Sequence, residues 1–204
     1  MIVIENLDVH GVARAIYSAR NAMNSWDKSD SNFETDTMGE NDLKLAKQLV
    51  KAGTDHSKFM RMITVTCDII APRYWWTEFD TYKVGTVRNS CSTMHTIHEK
   101  EFTLDDFSHE HLNNETLEIL EKVIWSLNVS RDCFRSDTSN KEYWWQMIQL
   151  LPSSYNQRST VQLNYAVLRN IYHSRKSHKL DCWRTFCSWI ETLPYAKELI
   201  CNVD

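Results

Sequence analysis

The fold is decided by the sequence His56-Ser-Lys-Phe-Met-Arg-Met-Ile-Thr-Val-Thr-Cys-Asp-Ile-Ile-Ala-Pro72, which continues as Arg73-Tyr-Trp-Trp-Thr-Glu-Phe-Asp-Thr-Tyr-Lys-Val-Gly-Thr-Val-Arg-Asn-Ser-Cys-Ser-Thr-Met94. Apolar and β-branched residues alternate with polar ones from Met60 to Ile70, a pattern that predicts a strand. Pro72 favours the first turn of a helix that carries two adjacent tryptophans. A dense polar segment follows this helix.

The flanking sequence predicts more helix than strand. A short strand is predicted at residues 2–4, and helices are predicted at about residues 8–24, 43–52, 114–128, 142–151, 160–173 and 180–193. Asn41 is the predicted N-cap of the helix at 43–52, and Gly53 is its predicted stop. With only four Gly and three Pro among 204 residues, the chain favours helices over a turn-rich β architecture. These patterns predict a single α+β domain over residues 1–204, with a small sheet packed by several helices.

Composition argues against several classes of protein. A net charge of −4 does not provide the basic field that general nucleic-acid or anionic-membrane binding needs. No apolar run approaches the roughly 20 residues that span a bilayer, and the acidic start predicts no signal peptide. The six cysteines form no CxxC pair and the histidines show no ligand spacing, so we expect reduced thiols, a cytoplasmic protein and no metal site.

The segment from His56 to Met94 resembles the centre of the flavin-dependent thymidylate synthases, the ThyX type, and the resemblance extends over about residues 42–193. The family signature Arg-His-Arg-x-x-Ser-x-Asn-Glu-x-Ser-x-Arg falls without a gap on Thr81 to Thr93, where Lys83 and Thr86 are conservative changes. Thr93 replaces an arginine that grips the nucleotide phosphate, a two-point contact that Thr cannot make. Cys91 replaces a serine, and Glu78 replaces a glutamine that positions the nucleotide.

A second region, from Gln162 to His178, resembles the family's Asn-x-Arg-x-x-x-Asn segment and the arginine that follows it. Asn164, Asn170 and Arg175 match or nearly match, whereas Ala166 replaces an arginine. Helical steps of three and four place Asn164 and Arg175 on one face, from which both could reach one elongated ligand at two levels. The alternative is a polar network between helices.

The resemblance implies an α+β fold with a small antiparallel sheet and with active sites at the interfaces of a homo-oligomer, most simply a tetramer. It implies FAD held by residues that include His56, Lys83, Asn89, Asn164 and Asn170. It implies a pyrimidine nucleotide of the deoxyuridylate type, held by residues that include Glu78, Arg88, Cys91, Thr93 and Arg175. The reaction would be reductive methylation with reduced nicotinamide and a folate one-carbon donor, and the resemblance assigns no catalytic residue.

Several alternatives stay open on the sequence alone. His56 is either a flavin neighbour or a surface histidine before a strand, and the polar cluster is either an anion site or a solvated helix end. The Trp pairs at 75–76 and 144–145 either stack on a ring or anchor the core. The rival function is a catalytically inactive ThyX-like protein that binds a nucleotide or sequesters a nucleotide signal, of a size that suits a phage-encoded protein. A third possibility is a structural oligomer that binds no ligand.

Overall fold

Four strands form one antiparallel sheet in the computed structural model, which describes residues 2–202. In chain order they are β1 (Val3–His10), β2 (Thr64–Pro72), β3 (Thr86–Ser90) and β4 (Asn156–Asn164). They lie side by side in the order β1-β2-β4-β3. Alternate side chains of β2 are fully buried and the others are half-buried, as a strand with one face on a core requires.

The described residues also form eight α-helices, and this confirms the predicted α+β class with an excess of helix. They are α1 (Val12–Ala19), α2 (Glu40–Lys51), α3 (Arg73–Phe79), α4 (Thr93–Thr96), α5 (Asn114–Ser136), α6 (Lys141–Leu150), α7 (Tyr165–Arg175) and α8 (Asp181–Ile190). Short 3-10 turns lie at Arg20–Met23, Trp26–Lys28, Lys58–Met62 and Leu104–Asp106, and a single π-helical turn lies at Lys197–Cys201.

The chain divides into two compact units. The first consists of residues 1–3, 70–80 and 89–159, and the second consists of residues 4–69, 81–88 and 160–204. All four strands contribute residues to both units.

Helices α5 and α6 are the two longest helices of the first unit. Asn113 caps α5 by accepting the N–H of Thr116 at 2.9 Å, and Asn140 caps α6 by accepting the N–H of Glu142 at 3.0 Å. Caps of this kind satisfy backbone donors that a helix start leaves without partners. The apolar side chains of both helices join a core cluster with the segment before α5, and its buried members are Ile97, Phe102, Phe107, Leu120, Ile124, Leu127, Phe134, Met147 and Leu151.

The second unit buries an ion pair beside its apolar core. The guanidinium of Arg20 contacts the carboxylate of Asp42 through two nitrogens, each at 2.6 Å from the same oxygen. Ser29 and Ser31 donate hydrogen bonds to the other oxygen at 2.6 and 2.5 Å. Asp42 is completely buried, so each of these bonds replaces a hydrogen bond to water.

The first helix of the second unit starts later than its periodicity predicted. Strand β1 continues through His10, and Gly11 then turns the chain with φ 87°. The carboxylate of Asp36, from a distant loop, accepts the N–H groups of Gly11, Val12 and Ala13 at 2.7–3.1 Å. This contact fixes the helix start from outside the local sequence. The predicted helix at 8–24 was therefore wrong at its first residues, and it ends as the 3-10 turn Arg20–Met23.

The predicted N-cap of α2 was also wrong. The helix begins at Glu40, and a carboxylate from a preceding loop, that of Asp30, accepts the N–H groups of Asn41 and Asp42 at 2.8 and 3.0 Å. Asn41 therefore lies inside the first turn. The predicted stop is confirmed, because Gly53 follows the helix with φ 107°, a conformation that favours glycine.

The predicted helix at 160–173 is wrong in its first part. Residues up to Asn164 belong to β4, where Val161 and Leu163 are buried and Thr160 and Gln162 are exposed. This two-residue alternation defines a strand, and the helical spacing begins only at Tyr165. Asn164 and Arg175 therefore do not share one helix face as predicted, since Asn164 precedes α7 and caps it. Strand β3 and helix α4 were not predicted.

Candidate functional site

A cleft of about 630 Å³ lies within the first unit, beside the segment that resembles the family signature. Cys91 and Thr93, two predicted nucleotide-binding residues, line it together with Arg158. The N–H of Cys91 donates to the carbonyl of Arg158 at 3.0 Å, and the carbonyl of Cys91 accepts from Nε2 of Gln157 at 2.7 Å. These bonds hold the Cys91 segment against the segment of β4 that carries Arg158.

Aromatic rings form one wall of the cleft. Phe102, Phe107 and Tyr155 pack edge to face or tilted, with ring centroids 5.6–6.4 Å apart. Both phenylalanines are buried in the core cluster, and burial raises the pKa of the Tyr155 hydroxyl, an effect that the nearby Asp106 carboxylate reinforces. The tyrosine is thus a neutral hydrogen-bonding group on an apolar wall, an arrangement that suits a flat ring with polar edges.

The rim of the cleft is more acidic than basic. Carboxylates of four residues line it, namely Glu99, Asp105, Asp106 and Glu110, against the cations of Lys100 and Arg158. Lys100 donates a hydrogen bond to Asp106, and this bond raises the lysine pKa. Asp106 offsets the charge of Lys100, so the lining as a whole is acidic.

Arg175, a predicted nucleotide-binding residue, lies at the end of α7 within the second unit, beside aromatic residues. Nε of Arg175 donates to the hydroxyl of Tyr82 at 2.9 Å, and the guanidinium lies over the ring of Trp183 at 4.9 Å from its centroid. His178 packs edge to face on the same indole with ring centroids 6.4 Å apart. The hydrogen bond to Tyr82 and the ring face of Trp183 thus orient the guanidinium. Because this orientation is already fixed, the side chain loses less conformational entropy when an anion binds.

Asn164 connects the turn before β3 with the start of α7. Its Oδ1 accepts the N–H of Val167 at 3.1 Å, as an N-cap does. Gly85, with φ 80°, approaches so closely that an added Cβ would lie 2.7 Å from Nδ2 of Asn164. Only a glycine fits both the backbone conformation and this approach. The structure therefore brings the signature segment next to one predicted flavin-binding residue.

The remaining predicted site residues are less closely grouped. In the second unit, His56 is exposed in the turn after α2, Lys83 is exposed in the turn before β3, and Arg88 is half-buried on β3. Asn170 is exposed on α7 and accepts a hydrogen bond from Ser174 at 3.4 Å. In the first unit, Glu78 is half-buried on α3 and Asn89 is exposed on β3. Their binding roles stay predictions.

Sequence reasoning did not assign a role to Tyr82, Trp183 or Arg158. Tyr82 takes the position of the histidine in the family signature. This position could have identified it as a candidate site residue. Arg158 lies outside the segments His56–Met94 and Gln162–His178, and nothing in its local pattern indicates the cleft that Phe102 and Tyr155 line. Its neighbours are brought together from distant parts of the chain.

All six cysteines are free thiols. Within residues 2–202, no three His, Cys, Asp or Glu side chains converge as a metal site would require. In the same range, every helix is too short or too polar to cross a bilayer.

Comparison with known proteins identifies the fold. No protein-family model matches the sequence, and no curated protein matches it. Among solved structures, the chain is similar to thymidylate synthase X from Helicobacter pylori, solved with FAD and dUMP. One such structure has a TM-score of 0.72 at 17% identity, and another has 0.68 at 18%; each comparison covers 98% of this chain and 97% of the other.

A further similar structure is the UMP/dUMP methylase PolB from Streptomyces cacaoi, bound with 5-Br dUMP. The TM-score is 0.64 at 11% identity, over 98% of this chain and 95% of the other. Likeness at such low identity is likeness of fold. This chain therefore has, over nearly its whole length, the fold of ThyX thymidylate synthases and of this nucleotide methylase.

Proposed function

We propose that this protein binds FAD and a pyrimidine nucleotide and catalyses the reductive methylation of a deoxyuridylate-type substrate. The observation that carries the proposal is the full-length likeness to two ThyX structures solved with FAD and dUMP and to a dUMP methylase. Reduced nicotinamide and a folate would supply the electrons and the one-carbon unit. We assign the flavin to His56, Lys83, Asn89, Asn164 and Asn170, and the nucleotide to a second set: Glu78, Arg88, Cys91, Thr93 and Arg175.

The turn at Gly85 fits a flavin site. A glycine with positive φ beside a side-chain amide permits close approach of the backbone. The Oδ1 of Asn164 is engaged at the start of α7, so its amide is fixed in orientation. When bound, FAD would supply the hydride chemistry that no side chain of the protein provides. Asn164 would position a polar edge of the flavin.

The nucleotide would use two kinds of contact. The half-buried ring of Tyr155, which packs on Phe102 and Phe107, suits a pyrimidine ring, and the oriented guanidinium of Arg175 suits a phosphate. The family's sites are shared between subunits, so we assign the two contacts separately and test them separately.

The Arg175 assignment predicts a defined loss of nucleotide affinity. Removing one charge-assisted contact costs about 1.5–3 kcal/mol, or roughly ten- to a hundredfold in Kd. Arg175→Ala should weaken deoxyuridylate binding by about that factor, and Arg175→Lys should recover only part because Lys lacks the planar two-point geometry. Lys176→Ala is the matched control, since it removes an exposed cation from the adjacent position.

Isothermal titration calorimetry on the four proteins measures these affinities. Circular dichroism shows whether each variant keeps its fold. If Arg175→Ala and Lys176→Ala bind deoxyuridylate as tightly as the unchanged protein, Arg175 is an ordinary helix-end cation and the assignment fails.

A second candidate function is nucleotide binding without catalysis. It is favoured by Thr93 in the lining of the cleft, because this residue stands in the place of the phosphate-binding arginine of the family signature. The colour of the purified protein and its conversion of deoxyuridylate to thymidylate distinguish the two functions. A yellow protein that converts deoxyuridylate to thymidylate with nicotinamide and folate supports the enzyme. A colourless protein that binds deoxyuridylate and makes no thymidylate when FAD is added supports the binding protein.

A further inference from the structure

A second cavity, of about 500 Å³, lies in the first unit and shares no lining residue with the cleft described above. Its lining consists of seven residues from α4, α5 and α6 and from the segment after α4: Met94, His95, His98, Phe134, Lys141, Trp144 and Trp145. None of the seven was assigned to the flavin or the nucleotide.

The cavity presents an aromatic surface that the fold holds in place. Nε1 of Trp144 donates to the carbonyl of Met94 at 3.1 Å, which ties α6 to α4. The ring of Trp145 meets the ring of Trp144 at 74° with centroids 4.8 Å apart, and half of Trp145 is exposed. An exposed indole whose orientation a neighbour fixes is a stacking platform that loses little entropy on binding.

The lining carries positive charge and no carboxylate. Nζ of Lys141 lies 5.1 Å from the centroid of the Phe134 ring, and the imidazole of His98 packs on the edge of the same ring at 5.0 Å. Nδ1 of His98 is buried and has no hydrogen-bond partner among residues 2–202. This polar atom is costly to leave unpaired. In a chain of net charge −4, a cavity lined by lysine, two histidines and no acid favours an anion.

We propose that this cavity binds a planar aromatic ring that bears an anionic group, of which a nucleoside monophosphate is the simplest example. The ring stacks on Trp145, and the anionic group lies at Lys141 and His95. Lys141 and Trp145 lie one turn apart on α6 and both line the cavity, so one ligand contacts them together. The site shares no lining residue with the cleft, and none of its residues was assigned to the flavin or the deoxyuridylate.

The test measures binding of adenosine 5′-monophosphate by calorimetry, because adenine gives a large stacking surface. Trp145→Ala should weaken binding by about tenfold or more, since stacking of a base on an aromatic side chain contributes that much. Lys141→Gln should weaken it by about threefold, because a solvent-exposed charge contact contributes less. Trp26→Ala is the matched control, since Trp26 is exposed in the second unit.

Measurements with further ligands and with the variants distinguish this proposal from its alternatives. Adenosine should bind more weakly than the monophosphate, and inorganic phosphate alone should not bind at millimolar concentration. The proposal is overturned if the monophosphate does not bind, or if Trp145→Ala and Lys141→Gln both leave its affinity unchanged. It is also overturned if Arg175→Ala abolishes this binding, because the ligand then occupies the site assigned to deoxyuridylate. Failure of deoxyuridylate or FAD to bind leaves the result for this cavity intact.

Discussion

Among single residues, Asp42 has the most demanding environment. Its carboxylate is completely buried, and it is held by Arg20, Ser29 and Ser31. Removing the charge of one partner leaves the other charge buried without compensation, which costs about 3–5 kcal/mol. Asp42→Asn should therefore lower the free energy of unfolding by about this amount in urea denaturation at neutral pH. Asp27→Asn, at an exposed carboxylate nearby, should change it by less than about 0.5 kcal/mol; equal effects would contradict the buried-pair explanation.

The Asp42 carboxylate should also make the free energy of unfolding depend on pH. Burial raises the pKa of Asp42, but the hydrogen bonds from Ser29, Ser31 and Arg20 outweigh burial, so its pKa lies below the ordinary value. A group with a lowered folded pKa contributes stability above its unfolded pKa of about 3.9, and this contribution is lost as pH falls through the folded pKa. The stability difference between the unchanged protein and Asp42→Asn should shrink below about pH 4. A difference that stays constant from pH 7 to pH 3 would contradict this assignment.

The limits of sequence reasoning at this scale follow from what the local sequence encodes. The resemblance placed Cys91 and Thr93 in the signature, and both line the cleft. Arg158 and Tyr155 reach the same cleft from residues more than sixty positions later, and no local pattern records that approach. Tyr82 was within the motif, but its hydrogen bond to Arg175 depends on how the turn before β3 meets α7.

Among elements, the turn before β3 is fixed by its contact with the start of α7. Gly85 and Gly53 both have positive φ, but only Gly85 has a neighbour within 4 Å of an added Cβ. Gly53→Ala should cost about 1–2 kcal/mol from backbone strain alone. Gly85→Ala should cost more, because it must also displace the Asn164 side chain that caps α7. Thermal denaturation measures the difference, and equal losses for the two variants would show that the contact with Asn164 adds nothing.

Gly85→Ala also tests the flavin assignment. If Asn164 positions FAD, its displacement should reduce the rise in Tm that FAD produces, whereas Gly53→Ala should keep that rise. An equal FAD response in both variants would separate Asn164 from the flavin.

A helix could be predicted from the sequence where its apolar residues follow a single regular spacing and its N-cap is the residue just before it. Helix α5 shows this at its start, because Asn113 caps it from the adjacent position and its apolar spacing is regular, whereas its end at Ser136 lies beyond the predicted end at 128. Residues 160–164 were predicted as helix since the helical spacing of α7 was extended backward over a strand. The starts of α1 and α2 were missed because Asp36 and Asp30 reach them from loops, a contact that local sequence does not reveal.

At the scale of the whole molecule, we propose that residues 1–204 fold as one domain although they form two compact units. All four strands have residues in both units, so unfolding either unit alone would interrupt every strand of the sheet. We therefore expect a single cooperative transition in urea. Near-ultraviolet and far-ultraviolet circular dichroism should give the same midpoint, and two separated transitions would show independent domains.

Helix α5 exposes large apolar side chains that could lie at an interface between copies of the chain. Ile119, Trp125 and Val129 lie on this helix and are 59%, 69% and 44% exposed. Single exposed apolar residues are common, but several large ones on one helix are typical of an interface. Homo-oligomers bury such surfaces against copies of the same chain.

We therefore expect a homo-oligomer in solution, and the family resemblance predicts a tetramer. Light scattering at micromolar concentration should give a mass four times that of one chain. Trp125→Glu should shift the mass toward smaller species, since a buried carboxylate without a partner is costly at an interface. Met23→Glu, which changes an apolar side chain that is 81% exposed and lies outside α5, should leave the mass unchanged. A monomeric mass for the unchanged protein would contradict both the assembly and the proposal that subunits share the flavin site.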